Sequence, residues 1–162
     1  MEKNKFDIIT IGAAVRDIFL FLKPSDVLLL DNPAADPTRQ KLLALEYGAK
    51  IHAASSKLAF GGGAFNSAIT FARAGLTTAM GSALGCDDTA EAIVRSLTQE
   101  NIAPDFVSYH SRSQTGFSVL VVDKATGEHV ALVERGASDV FKFSSRSHKL
   151  SSAPWCYLTS LT

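Results

Sequence analysis

The sequence is poor in cysteine, with only Cys86 and Cys156 among its 162 residues. Two cysteines cannot form the disulfide framework of a small secreted domain, so they favour a reducing compartment, where we expect both thiols to be buried. Long apolar runs are missing as well, because no stretch approaches the roughly 20 apolar residues that span a bilayer. The apolar stretch at residues 8–15 is followed by Arg16 and Asp17, which favours a first strand over a signal peptide. These absences predict a cytoplasmic protein that does not insert into membranes.

A surplus of either charge is also absent, since 16 lysines and arginines balance 16 aspartates and glutamates. Such a chain offers no electrostatic footprint for nucleic acid or for an anionic membrane. The four histidines are scattered and none lies at metal-ligand spacing with a cysteine, so we expect no metal site. Ser82 and Ser118 lack the glycine spacing of a nucleophile elbow. Zinc-enzyme and serine-hydrolase functions therefore have little support.

The composition that is present, 46% apolar and 20% charged residues, is that of a globular domain with a real core. Strand and helix patterns alternate along the chain, which indicates the α/β class. We predict strands at residues 6–12, 77–84, 117–122, 129–134 and 155–161, and helices at residues 64–75, 88–100 and, more weakly, 139–150. Residues 23–46 are less regular; their pattern allows a short helix over residues 38–45 within an insertion that covers one edge.

A run of three glycines opens the first predicted helix, in the sequence Phe-Gly-Gly-Gly-Ala-Phe-Asn-Ser-Ala at residues 60–68. Glycine lets a ligand approach the backbone closely, and a helix N-terminus directs free amides at whatever lies above it. The alternative is a tight connection in which Asn66 serves as the helix N-cap. The run lacks both the Gly-Lys-Ser/Thr ending of a P-loop and the further glycine of a dinucleotide fingerprint. Spacing alone leaves the two interpretations open.

An acidic residue, Asp17, follows Gly12 by five positions. It therefore comes just after the carboxyl end of the first predicted strand, which is where open α/β sheets bind ligands. A solvated loop aspartate is the alternative interpretation, and the local sequence does not separate the two.

Taken in order, these segments resemble the N-terminal half of PfkB-type carbohydrate kinases, the ribokinase-like family. Residues 6–17 look like the first strand and sugar-binding aspartate of that family, and residues 61–68 are similar to its signature Gly-Gly-x-x-x-Asn-x-Ala. Residues 81–87 resemble its Gly-x-x-Gly-x-Asp segment, and Thr115-Gly116 and residues 136–138 also fit. The resemblance covers nearly the whole chain outside residues 23–46.

The resemblance implies an α/β fold, with an incomplete three-layer α/β/α core and a small β-sheet lid. The whole chain, residues 1–162, would be the N-terminal part of one kinase domain. Its lid strands would lie within residues 18–30, 48–60 and 117–134. We further expect a homodimer formed through the lid, as an implication of the same resemblance.

The function implied by the resemblance is ATP-dependent phosphorylation of a hydroxyl on a sugar or a similar small molecule. Its substrate-binding residues would be Asp17, Gly62, Gly63 and Asn66, with ATP and Mg²⁺ as cofactors of the full-length enzyme. Gly63 replaces a lysine found in some ribose-specific members, which weakens an assignment to ribose. A nucleoside kinase of the same superfamily and a non-catalytic sugar-binding or assembly module are the alternatives.

The second signature of the family, a Gly-Ala-Gly-Asp turn, has no match in this sequence. That turn carries the catalytic base and the anion hole, so we expect the base beyond Thr162 and assign no catalytic residue here. The nucleotide site would likewise be largely absent from these 162 residues. Because phosphoryl transfer depends on positioning and electrostatic stabilisation of the phosphoryl group, we expect the chain alone to be inactive.

Overall fold

The computed structural model describes residues 5–34, 37–142 and 152–160. The chain divides into two compact units. We call the first the core unit; it comprises Met1–Asp17, Phe60–Ser118 and Val133–Thr162. The second, which we call the small unit, comprises Ile18–Ala59 and Val119–Leu132. In the sequence, the two segments of the small unit are therefore insertions into the core unit.

Strands alternate with two α-helices over residues 55–110, which confirms the α/β class. In chain order the elements are β1 (Ile8–Ile11), β2 (Val15–Leu22), β3 (Leu28–Asp31), β4 (Lys41–Ala44), β5 (Ser55–Gly61), α1 (Gly63–Arg73), β6 (Thr78–Gly85), α2 (Asp88–Gln99), β7 (Ala103–His110), β8 (Thr115–Asp123), β9 (His129–Gly136) and β10 (Trp155–Leu158). The helix predicted over residues 139–150 falls mainly outside the described residues.

A parallel sheet with strand order β10-β1-β6-β7 forms the centre of the core unit. Every residue of β1 and β6 is buried, including the polar Thr10, Thr78 and Ser82, as is usual for central strands of a parallel sheet. Parallel neighbours need a crossover, and α2 supplies the one between β6 and β7. Met80 on β6 and Ile93 and Leu97 on α2 are fully buried, and they belong to one hydrophobic cluster that also includes residues of α1. Ile9, Ile11 and neighbouring residues form a second cluster.

The first helix is bounded by two glycines with positive φ. Gly62 is its N-cap, at φ +93° and ψ 152°, and Asn66 is already the fourth helical residue. The interpretation of Asn66 as the N-cap is therefore wrong, because the N-cap position lies four residues earlier, at Gly62. Gly75, at φ +91°, ends the helix as predicted, and the Leu76 amide donates to the Phe71 carbonyl at 3.1 Å.

A four-stranded sheet with strand order β5-β2-β8-β9 and a separate β3–β4 hairpin complete the described strands. Strands occur in all three intervals predicted for the lid, residues 18–30, 48–60 and 117–134; closure of this sheet over a substrate remains a prediction. The helix allowed over residues 38–45 is wrong. Those residues include β4, whose backbone pairs antiparallel with β3, and this tertiary partner overrides the local helical pattern.

Both cysteines are exposed, which contradicts the expected burial. Cys86 lies in the short connection between β6 and α2, and Cys156 lies on β10, at the edge of the core sheet. Trp155 and Leu158 on the same strand are 71% and 61% exposed. Among the described residues, no helix is long and apolar enough to cross a membrane.

Candidate substrate site

The Asp17 side chain belongs to β2 and is half-buried. The interpretation as a solvated loop aspartate is therefore wrong, because the chain enters a strand only three residues after Gly12. The Asp17 Oδ1 atom accepts a hydrogen bond of 2.5 Å from the Ser118 hydroxyl, on β8. Ser118 is only 6% exposed, so the donor of this hydrogen bond is shielded from water.

The other carboxylate oxygen of Asp17 lies against Gly61, the last residue of β5. A Cβ atom added to Gly61 would stand 2.0 Å from Asp17 Oδ2 and 3.1 Å from Asp17 Cγ. A side chain at this position would displace the carboxylate, so the glycine leaves the space that Asp17 Oδ2 takes. This contact places the carboxylate directly beside the entry to α1.

The next two glycines meet protein atoms where their side chains would be. A Cβ on Gly62 would stand 2.4 Å from the Ala13 carbonyl oxygen, and one on Gly63 would stand 2.5 Å from Thr159 Oγ1. The Ala64 amide donates to the same Ala13 carbonyl at 3.1 Å. The expectation of free amides at this helix N-terminus is therefore wrong for Ala64. A ligand at these glycines would contact their other sides.

Asn66 lies one helical turn beyond the glycines and is exposed. Its backbone amide donates to the Gly62 carbonyl at 2.9 Å. Because residues three and four apart share one side of a helix, Asn66 lies on the same side of α1 as Gly62 and Gly63. Among the described residues, we find no hydrogen bond to its side-chain amide. The structure thus connects Asp17, Gly61, Gly62 and Asn66 through consecutive contacts, all within the core unit.

Asp87 organises the neighbouring connection between β6, α2 and β8. Its Oδ1 accepts from the Ala90 amide at 2.9 Å, which caps α2, and from the Thr115 hydroxyl at 2.8 Å. Its Oδ2 accepts from the Thr115 amide at 2.6 Å, and Thr115 Oγ1 in turn accepts from the Gly85 amide at 2.9 Å. Burial alone would raise the pKa of Asp87, but the hydrogen bonds from Thr115 and Ala90 outweigh it and lower that pKa.

The N-terminus of α2 fits the triphosphate of ATP poorly, and that of α1 has one of its first amides already bonded. At α2 the Asp87 carboxylate already occupies the terminus and would repel a phosphate. At α1 the Ala64 amide is bonded to Ala13, and Thr159 crowds Gly63. In the part of the chain that the structure describes, no group of three or more His, Cys, Asp or Glu side chains is placed to hold a metal ion.

Sequence reasoning assigned no site role to Gly61 or to Ser118. Gly61 belongs to the glycine run and could have been included for that reason alone. Ser118 carried no local signal, because its partner Asp17 is 101 positions away in the sequence. The predicted site residues Asp17, Gly62 and Asn66 do lie along one continuous set of contacts.

The sequence profile described as pfkB family carbohydrate kinase matches residues 30–161. The chain belongs to this family. The match extends over most of the chain, including the glycine run and the Asp87 connection. It does not include Asp17, whose place in the site rests on the contacts described above.

Solved structures resemble the fold of this pfkB-family chain at low sequence identity. The ribokinase of Arabidopsis thaliana, complexed with ribose and ATP, has 18% identity and a TM-score of 0.75, covering 96% of this chain and 46% of the ribokinase. The ribokinase of Thermotoga maritima has 20% identity and a TM-score of 0.70, and the match covers 93% of this chain and 44% of that ribokinase. The nucleoside kinase of Methanocaldococcus jannaschii has 20% identity and a TM-score of 0.60, and the match covers 82% of this chain and 38% of that kinase.

These likenesses extend to the fold and not to the substrate, because ribokinases and nucleoside kinases are both among them. The chain spans less than half the length of the kinases it resembles. No curated protein matches the sequence.

Proposed function

We propose that this chain supplies the substrate-binding half of an ATP-dependent kinase that phosphorylates a hydroxyl of a sugar or a similar small molecule. The observation that carries the proposal is the position of the Asp17 carboxylate, held beside Gly61 at the entry to α1 in a pfkB-family chain. Family membership supports a kinase; the substrate class and the role of each residue are proposed from the chemistry of the site.

In this proposal Asp17 accepts hydrogen bonds from sugar hydroxyls, because each oxygen of an ionised carboxylate has two lone pairs that can accept. Asn66 makes a further contact, and its amide offers both a donor and an acceptor. Gly62 and Gly63 present backbone to the sugar from the sides that Ala13 and Thr159 leave open. Together these groups orient one hydroxyl for transfer, and orientation is a large part of catalysis in such reactions.

ATP and Mg²⁺ are proposed to bind segments of the full-length enzyme other than those described. The Asp87 carboxylate at the N-terminus of α2 and the bonded Ala64 amide at that of α1 support this, since both reduce what these termini offer to a triphosphate. When bound, Mg²⁺ would neutralise charge on the transferring phosphoryl group. The 162-residue chain alone is accordingly proposed to bind substrate without phosphorylating it.

Isothermal titration calorimetry of the purified chain with D-ribose, D-fructose, D-glucose and inosine, with and without ATP and Mg²⁺, tests the proposal. We expect binding of at least one of the three sugars, with an affinity that ATP leaves unchanged, and no ADP formed in a coupled assay. Binding of inosine alone would favour the nucleoside-kinase alternative. Absence of heat with all four compounds would overturn the proposed site.

We further propose that two copies associate through the β5-β2-β8-β9 sheet. The supporting observation is β9, an edge strand whose Val130 and Leu132 are 42% and 60% exposed, together with Leu58 on β5 at 66%. Exposed apolar edges favour association. Sedimentation velocity of the chain and of its Leu132→Lys variant tests this: a dimer that the substitution dissociates is expected, and a monomeric parent chain would contradict it.

A further inference from the structure

We propose that Ser118 is a positioning residue that fixes the Asp17 carboxylate, so that Oδ1 is held by the protein and Oδ2 is left for the substrate. The inference rests on the proposed sugar-binding role of Asp17 and deepens it by assigning each oxygen. Ser118 itself is too buried to be the principal contact of a sugar, at 6% exposed. It acts through Asp17.

The hydrogen bond between the two residues is short and has a charged acceptor. Ser118 Oγ donates to Asp17 Oδ1 at 2.5 Å. A hydroxyl has one proton to give, so the Ser118 proton is committed to this carboxylate. Hydrogen bonds to charged groups are stronger than neutral ones and favour a single geometry. The Asp17 side chain is therefore held at one rotation about its Cβ–Cγ bond, a rotation that is otherwise broad for aspartate.

The opposite side of the carboxylate is defined by Gly61. Asp17 Oδ2 occupies the place beside Gly61 where a side chain would begin, 2.0 Å from an added Cβ. The carboxylate thus lies between a donor on one side and a bare backbone on the other. Ser118 engages Oδ1. Among the described residues we find no hydrogen bond to Oδ2, so this is the oxygen left for the substrate at the entry to α1.

The position of Ser118 is itself fixed by the start of its strand. Thr115, three residues earlier on β8, is bound to Asp87 through both its amide and its hydroxyl. The Gly85 amide donates to the same Thr115 hydroxyl, which ties β8 to the end of β6. Because Thr115 is 3% exposed and doubly bonded, the register of β8 is constrained, and with it the place of the Ser118 hydroxyl.

Calorimetry on four variants tests the inference, using the tightest-binding compound among D-ribose, D-fructose, D-glucose and inosine. Ser118→Ala removes the donor, Ser118→Thr keeps it, and Gly61→Ala pushes Oδ2 from its place. Ser108→Ala is the control, because it deletes a half-buried serine hydroxyl of the core unit that does not contact Asp17.

We expect Ser118→Ala and Gly61→Ala to weaken binding about tenfold or more, as for loss of a hydrogen bond to a charged group. Ser118→Thr should stay within about threefold of the parent chain and Ser108→Ala within about twofold, since the first keeps the donor and the second is distant. Equal affinities of the parent chain and Ser118→Ala would overturn the inference, as would a Ser118→Ala defect that Ser108→Ala shares.

A second arm does not depend on any ligand. Urea unfolding of the parent chain, Ser118→Ala, Asp17→Ala and the double variant forms a double-mutant cycle. We expect non-additive effects on the unfolding constant of at least about threefold, which is the coupling that a direct contact produces. Additive effects would overturn the positioning role. If no compound binds but the coupling is present, the proposed function fails while the held carboxylate stands.

Discussion

Thr115 donates two hydrogen bonds to Asp87, from its amide to Oδ2 at 2.6 Å and from its hydroxyl to Oδ1 at 2.8 Å. Through this pair the N-terminus of α2 is joined to the start of β8, 28 positions later in the sequence. The same carboxylate caps α2 through the Ala90 amide. One side chain therefore satisfies three donors and connects two elements that local structure alone would leave independent.

Replacing Asp87 with alanine should lower the free energy of unfolding by about 2 kcal/mol or more, because it removes an N-cap and leaves the Thr115 amide without its acceptor. Asp88→Ala is the matched control, since Asp88 is exposed and sits in the first turn of the same helix without capping it. Urea unfolding measures both, and we expect less than about 1 kcal/mol for Asp88→Ala. Equal losses would show that Asp87 acts only through the helix dipole.

Asp87 should also make the free energy of unfolding depend on pH in the acidic range. Its pKa is lowered in the folded state, so its contribution is complete above the unfolded value of about 3.9 and is lost as the pH falls through the folded value. In the parent chain, the unfolding free energy should therefore fall more steeply below about pH 4 than in Asp87→Asn, which cannot titrate there. Urea unfolding from pH 7 to pH 3 measures both slopes. Identical slopes would contradict a lowered pKa for this carboxyl.

Substituting two glycines that share a positive φ distinguishes the cost of backbone strain from the cost of steric crowding. Gly62 has φ +93° and Gly75 has φ +91°, but an added Cβ meets Ala13 O at 2.4 Å in the first case and open space in the second. The ψ of Gly62, 152°, also lies in a region that only glycine populates readily. Gly75→Ala should cost about 1–2 kcal/mol of unfolding free energy from strain alone. Gly62→Ala should cost clearly more; a smaller loss than Gly75→Ala would contradict the crowding at Ala13.

The sequence was most informative where one element carries its own signal. Helix α2 spans Asp88–Gln99, close to the predicted residues 88–100, and buries Ile93 and Leu97 on one face at helical spacing. Gly75 likewise marks the end of α1 through its freedom to adopt positive φ.

Partners that are distant in sequence decided the features that were missed or wrong. Residues 38–45 carry a helical pattern, yet β4 forms there because β3 offers an antiparallel partner. Asn66 is an excellent N-cap residue by type, but Gly62 takes that position, at a positive φ and beside the Ala13 carbonyl where a Cβ would not fit. Ser118 had no local signal at all, since only the fold brings it to Asp17. Packing between distant segments, and not local propensity, therefore completes the site.

The binding role of Asp17 and Asn66 is the central claim, and calorimetry of their alanine variants tests it most directly. The titrant is the compound among D-ribose, D-fructose, D-glucose and inosine that binds the parent chain most tightly, and thermal unfolding of each variant is recorded alongside. We predict an affinity loss of about tenfold or more for Asp17→Ala and a smaller loss for Asn66→Ala, with both variants folded, because each removes a hydrogen-bonding group that is proposed to contact the substrate. Unchanged affinity in Asp17→Ala would contradict the account.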